Sequence, residues 1–513
     1  MTDSIEKLRR AAKQLRKSYE SGEPAGIERL RVHPPRSDGA ELKHADFLHV
    51  IAREHGFLSW PILKEAAMIQ GLDRAQKLQH LKISLAHGNN LRAQRLLEDT
   101  PDLADGMFAL QVALLRRDKV AEMLAQDPTR ATTVYGISRP IVHLAFSRWI
   151  HTNPDLADDM IAIAQMLLDH GADVNDSRAA SMDTDYQLSA LYGAIGHANN
   201  MALGDWLLEN GADPNDGESL YHATELGHHE GLRLLLKHGA DPAGTNALLR
   251  AMDFNDHEAV QMLLDAGAKA DDFNGAHVGG EAPWVVPALH QAARRMSDAR
   301  MIDILLKGGA DPARVFDGAT AYAYARVFGN TSMARAIEAQ GTPPPLSQTE
   351  TLLAAAADGQ DTPGTFIDPD TLSDSYRNII RNILHLPGKM NHVQELVALG
   401  LEYDRPDTEG LTPVQVAGWE GLPDMVGYFL KLGPDLSHIN GYGGTLLSTI
   451  IHGSENNPNR AGRDYLECLQ LALERGVALP KAAIDHAARE DVAEFLRDWA
   501  EAHPGQVILG GVG

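Results

Sequence analysis

One phrase recurs along this chain: an apolar helix end followed by Gly-Ala-Asp. It reads LLDHGADVN from Leu167, LLENGADPN from Leu207, LLKHGADPA from Leu235, LLDAGAKAD from Leu263 and LLKGGADPA from Leu305. Looser copies end at Gly341, Gly400, Gly433 and Gly476. A repeat of this kind constrains the fold more than any bulk property. Each unit is too small to bury its own apolar face and is stabilised by stacking on its neighbours. The Leu pair of each phrase faces the core from a short helix. The glycine takes the left-handed conformation that ends the helix, and Asp followed by Pro or Val opens an extended turn. A solenoid has no single core that must stop growing, so 513 residues count repeats and not domains.

A second phrase opens the first helix of a repeat: SALYGA from Ser189, PALHQA from Pro287 and LTPVQVA from Leu411. Its small Ala lets neighbouring helices approach, and Thr-Pro starts the helix. These phrases resemble the ankyrin signature Thr-Pro-Leu-His-x-Ala, best in GLTPVQVAGWEGLPDMVGYFLKL from Gly410. The resemblance implies an all-α ankyrin-repeat solenoid of stacked helix-turn-helix units with short or degenerate β-hairpin fingers. The helix-ending glycines at 171, 211, 239, 267, 309 and 341 are 40, 28, 28, 42 and 32 residues apart. Against a period of about 33, the two short repeats have lost most of the finger. The two long ones insert His151 to Met160 and Gly275 to Pro287.

Five segments follow. Residues 1–72 read as an N-terminal helical cap region, with Ile5, Leu8, Ala12 and Leu15 on one helix face and a linker at VHPPRSDG from Val32. Within it, IAREHGFLSWPILKEA resembles a segment placed ahead of repeats in bacterial ankyrin proteins. Residues 73–341 form the repeat block, and 342–348 a Pro-rich junction. Residues 349–504 form a second, degenerate block ending in a C-terminal cap. Residues 505–513 are a tail without an order signal.

The chain carries 46 basic and 70 acidic side chains, a net charge of -24. That field repels phosphate backbones and anionic lipid, so neither nucleic acid nor membrane is an expected partner. The basic run Lys7, Arg9, Arg10, Lys13, Arg16 and Lys17 reads as a solvated helix face. Apolar stretches such as Met160 to Leu168 are too short to span a bilayer. The charged N-terminus lacks the apolar region of a secretory signal. Cys468 is the only cysteine, which excludes an intrachain disulfide and a cysteine-based zinc site and fits the cytoplasm.

No nucleophile elbow, phosphate loop, HExxH or dinucleotide fingerprint occurs, and no cofactor or metal is expected. His228, His229 and His238 read as structural. In ankyrin arrays the last turn of the first helix faces the concave groove. The resemblance places there Gly196 and His197, Glu225 and Leu226, Asp253 and Phe254, then Arg294 and Arg295, with Val327 and Phe328 following. Tyr192 and Tyr221 stand where the signature has histidine, whereas His290 keeps it. Trp284, in the long insertion, is positioned to fold over the row.

Three readings fit this row: a polar peptide or ligand groove, a solvated face, or a catalytic site. In the last, Glu225 and Asp253 act as acid and base with His290. The resemblance favours the first, a protein-interaction scaffold whose groove binds a protein or peptide. A small polar ligand or an enzyme site around residues 192–295 is the alternative, since two short repeats flanked by long ones suggest a recess. Self-association through Tyr322, Tyr324 and Phe328 competes with their being core residues.

Overall fold

The computed structural model describes residues 5–34, 42–180, 186–276, 285–360 and 362–509. It is mostly helical and divides into two compact units, Met1–Val285 and Val286–Gly513.

The first unit opens with helices Ile5–Glu20, Pro24–Val32, His44–Glu54 and Trp60–Ile69. The apolar stripe of the first helix buries Leu8, Ala12 and Leu15 against Phe47, Leu48, Ile51 and Leu63, and Ile5 packs at the edge. Residues 35–41 of the expected linker lie outside the described residues.

Helix pairs then follow one another: Arg74–Ala86 with Asn90–Asp99, Phe108–Ala113 with Arg117–Gln126, and Pro140–Ala145 with Ala157–Asp169. The next first helix is Ala190–Tyr192 continued by Gly193–His197, paired with Met201–Glu209. Ser219–Ala223 with Glu230–Lys237 and Ala247–Asp253 with His257–Asp265 complete the unit. Side-chain caps start several second helices: Asn200 Oδ1 accepts from Leu203 N at 3.2 Å and Asp256 Oδ1 from Ala259 N at 3.0 Å. Left-handed glycines end them, with φ of 96° at Gly211 and 87° at Gly239, where a side chain would be strained.

In the long repeat from Gly171 to Gly211 a finger forms: Ser177–Ala179 pairs antiparallel with Gln187–Ser189. Where the repeats are short, no strand lies between Gly211 and Ser219 or between Gly239 and Ala247. Asparagine side chains replace the finger as the link between turns. Asn175 Oδ1 accepts from Asp213 N at 2.8 Å, and Asn215 Oδ1 from Asp241 N at 2.7 Å. Asn246 and Asn274 exchange two bonds, Nδ2 to the Asn274 carbonyl and Asn274 N–H to Oδ1, both 2.8 Å. Asn246 is buried and left-handed, φ 57°, a conformation that Asn tolerates better than Ala. Asn246→Ala therefore loses two part-buried hydrogen bonds and gains strain, and is expected to cost about 2 kcal/mol in urea unfolding.

The second unit continues the pairs, Ala288–Arg294 with Ala299–Lys307 and Ala321–Phe328 with Thr331–Glu338. A Val315–Phe316/Ala319–Thr320 hairpin precedes the second of these. The Pro-rich junction lies inside this unit, between Glu338 and the Ser347 capping box of Gln348–Ala357. Pairs Pro413–Trp419/Pro423–Leu432 and Leu446–Asn456/Tyr465–Glu474 follow, then Lys481–His486 and Glu490–Ala502. Tyr322, Tyr324 and Phe328 are 8%, 0% and 0% exposed, so they form core and not a docking patch. The chain beyond Glu490–Ala502 departs from expectation. Val507–Ile508 pairs parallel with Leu479–Pro480. Gln506 Nε2 donates to the carbonyls of Leu473 at 2.8 Å and Val477 at 2.7 Å. Leu473 lies in the last turn of Tyr465–Glu474 and Val477 just past it, so these bonds tie the segment to that helix end and order it despite its lack of an apolar pattern.

Candidate functional site

The first helices of three successive repeats bring one row of side chains together in the first unit. Two glycines make the row compact. A Cβ at Gly193 would lie 2.4 Å from the Phe146 ring, and one at Gly196 would lie 2.8 Å from the Tyr192 ring and 2.9 Å from His222 Cβ. Between them the helix widens into a π turn, Gly193–His197, closed by Ala198 N to the Gly193 carbonyl at 2.9 Å. Such turns re-aim side chains. Rings then pack in the space without Cβ atoms: Phe146 to Tyr192 at 5.8 Å, Phe146 to His197 at 5.0 Å and Tyr192 to His222 at 5.0 Å between centroids.

The next helix turn carries a charge clasp. His222 Nδ1 is 2.9 Å from Glu225 Oε2. Its Nε2 is 3.1 Å from Glu218 Oε2, within ion-pair distance but without hydrogen-bond alignment. Burial opposes a charge on His222, but the two carboxylates outweigh it and push its pKa up to about 9. Arg250, one repeat on, reaches back so that its Nε is 2.7 Å from Glu225 Oε1, with Nη1 3.4 Å from Asp253 Oδ2. Burial raises the Glu225 pKa, yet His222 and Arg250 together hold it below the usual carboxylate range. An acid–base pair needs one carboxyl raised toward neutrality. Glu225 is shifted the other way, and Arg250 stands between it and Asp253. The Arg250 guanidinium also lies over Tyr221 at 5.6 Å and over Phe254 at 5.2 Å, and Phe254 is 52% exposed.

A recess of about 490 Å³ lies beside the two short repeats. Tyr186 and Gln187 of the finger wall it on one side and Asn274 on the other, over the turns Pro214–Glu218 and Asp241–Thr245. Tyr221 lines it, whereas Tyr192, His197, Glu225, Asp253 and Phe254 do not.

The remaining sequence candidates part from this row. His290, Arg294 and Arg295 belong to the second unit. His290 is fully buried, its Nε2 3.1 Å from the Ala319 carbonyl, and burial holds it neutral with a pKa of about 4. It anchors the start of the next first helix and meets no solvent. Arg294 is 4% exposed and hydrogen-bonded to Gln291, while Arg295 is half-buried. Val327 and Phe328 are core. Trp284 lies outside the described residues. His228 pairs with Asn199 at 2.8 Å, His229 with Asp256 at 2.7 Å, and His238 is a helix C-cap. Among the described residues no group of three His, Cys, Asp or Glu side chains is disposed to hold a metal ion.

Sequence reasoning missed Phe146, Arg178, Glu218 and His222. The signal for His222 was present in LYHA, one place after the position where the signature carries histidine.

The family model for ankyrin repeats (3 copies) matches residues 191–274, the stretch that carries this row. Residues 191–274 are thus ankyrin repeats. Ankyrin repeats are generally protein-interaction modules. Among solved structures, the ankyrin repeat domain of human ASB11 is 21% identical, with a TM-score of 0.35 over 47% of this chain and 100% of that one. An ankyrin repeat domain from Acinetobacter baumannii is 24% identical, with a TM-score of 0.30 over 40% of this chain and 98% of that one. No curated protein matches. Among the described residues no helix is long and apolar enough to cross a membrane.

Proposed function

We propose that this ankyrin-repeat protein is a non-enzymatic interaction scaffold. Its partner protein docks along the row Tyr192, His197, Tyr221, Glu225, Asp253 and Phe254 on the concave side of the repeats. One observation carries the reading: Arg250 is held between two rings and two carboxylates, with the Phe254 ring left 52% exposed beside it. Exposed aromatic and arginine side chains fixed in place by their neighbours are what interface hot spots are made of, because little rotamer freedom is lost on binding. The clasp below them, Glu218–His222–Glu225, is preorganised and keeps its charges oriented. We place the protein in the cytoplasm. Its one cysteine, Cys468, is buried with its thiol pushed up to about 12, so it gives no oxidisable group at the surface.

Phe254→Ala removes the exposed ring and leaves the clasp intact. It is expected to weaken capture of the partner about tenfold, with an unchanged melting curve. Quantitative affinity capture with the full chain tests this against a control variant on the far helix of the same repeat, Gln261→Ala. Equal recovery by Phe254→Ala and wild type would sink the proposal. A small molecule that co-purifies with wild type and is lost from Phe254→Ala would replace it with a ligand site.

A further inference from the structure

Arginines in this acidic chain commonly find a carboxylate. Arg92 holds Glu65 at 2.7 Å, Arg139 holds Asp176 at 3.0 Å, Arg250 holds Glu225 at 2.7 Å and Arg377 holds Glu402 at 2.6 Å. Arg178, on the finger strand Ser177–Ala179, differs. Its guanidinium lies 4.3 Å over the Phe146 ring and is half-buried, with neither a carboxylate nor a hydrogen-bond acceptor among the described residues. Burial pulls its pKa down, and only Tyr192 acts in the other direction.

The same phenyl ring gathers further donors. Tyr192 meets it edge-on at 5.8 Å, and its hydroxyl has no hydrogen bond among the described residues. His197 lies 5.0 Å away, its Nε2 buried without a hydrogen-bond partner among the described residues. Burial and the flanking Arg148 and Arg178 push the His197 pKa down to about 4, so the ring is neutral. Arg148 is committed, donating Nε at 2.9 Å and Nη2 at 2.6 Å to the His197 carbonyl. The cluster is therefore positive and partly desolvated; Glu225 and Asp216 act on Tyr192, but among the described residues no carboxylate pairs with Arg178. A half-buried guanidinium in that state has exchanged hydration for a ring face that leaves its N–H donors unused, and its planar fork matches the two oxygens of a carboxylate or phosphate.

We propose that the Arg178 guanidinium and the Tyr192 hydroxyl receive an anionic group, a carboxylate or a phosphate monoester, carried on the partner's peptide chain. This rests on the docking proposed above and gives that partner its chemistry: an acidic or phosphorylated residue set at Arg178, alongside the segment that meets Phe254. The net charge of -24 turns away acidic chains in general, so a local cationic notch of this kind selects the register at which one acidic residue is accepted.

The test is arginine footprinting of the full chain with phenylglyoxal, read by peptide mass spectrometry, in inorganic phosphate, acetate or sodium chloride at one ionic strength. Arg178 is expected to react several-fold faster than the paired Arg250. Millimolar phosphate or acetate is expected to slow it about threefold or more relative to chloride. Protection by phosphate alone points to a phosphorylated residue, and protection by acetate to Asp or Glu. Protection no greater than in chloride would overturn the proposal. Tyr192→Phe is expected to reduce the protection, and unchanged protection in that variant would overturn the two-donor site. No partner is present in this assay, so its failure leaves the docking reading standing, and loss of capture by Phe254→Ala can be read separately.

Discussion

Replacing His222 with alanine is expected to destabilise the first unit by about 3 kcal/mol, because it strips the counter-charge from a buried carboxylate. Glu218 is 1% exposed and has no other ion-pair partner among the described residues, where Glu225 is left with Arg250. The sign of the pH dependence follows from the raised pKa of His222, about 9 against an ordinary 6.5. The clasp contributes fully below about pH 6.5, and that contribution is lost as pH rises through 9. The stability gap between wild type and His222→Ala should therefore shrink from pH 6.5 to pH 9.5. Amide exchange over residues 219–253 is the suitable readout, since repeats open locally and a global midpoint would average over them. A gap that stays constant across this range would mean that His222 is neutral in the fold.

Gly453→Val is expected to cost about 3 kcal/mol in the second unit, at the upper end for overpacking. A Cβ there would lie 2.4 Å from the Trp419 carbonyl oxygen and 2.8 Å from its Cα. Backbone cannot step aside as a side chain tip can, so helices Pro413–Trp419 and Leu446–Asn456 must separate. Asn457 Nδ2 and the Tyr465 hydroxyl, which both donate to that carbonyl at 3.0 Å, would lose their acceptor geometry. A urea titration showing Gly453→Val within about 1 kcal/mol of wild type would contradict this account of close helix approach.

The repeat phrase made the helices legible because it encodes local physics. Gly211 and Gly239 end helices in the left-handed region wherever LL-x-x-GAD occurs. The loss of fingers from the short repeats was readable from spacing alone, but the recess lies at the turns of Asp216 and Asp241 and not along the row where spacing suggested it, Tyr221 apart. Pairing within the row was not. Aligning phrases set Glu225 and Asp253 in neighbouring repeats as an open carboxylate pair, but Arg250, one turn ahead of Asp253, reaches between them. Arg178 was invisible because its place over Phe146 depends on how the finger folds back across the preceding repeat. His290 and Arg294 were misplaced on the groove because phrase position does not reveal burial. Their helix is packed on all sides, and the signature histidine is used to hold the Ala319 carbonyl.

The proposed docking puts the partner along the row from Tyr192 to Phe254. Hydrogen exchange of the full chain, free and with the captured partner, tests it most directly. Slowed exchange confined to residues 178–197 and 219–255 is the predicted result. Slowing confined to the second helices Glu230–Lys237 and His257–Asp265, or to the second unit, would contradict it.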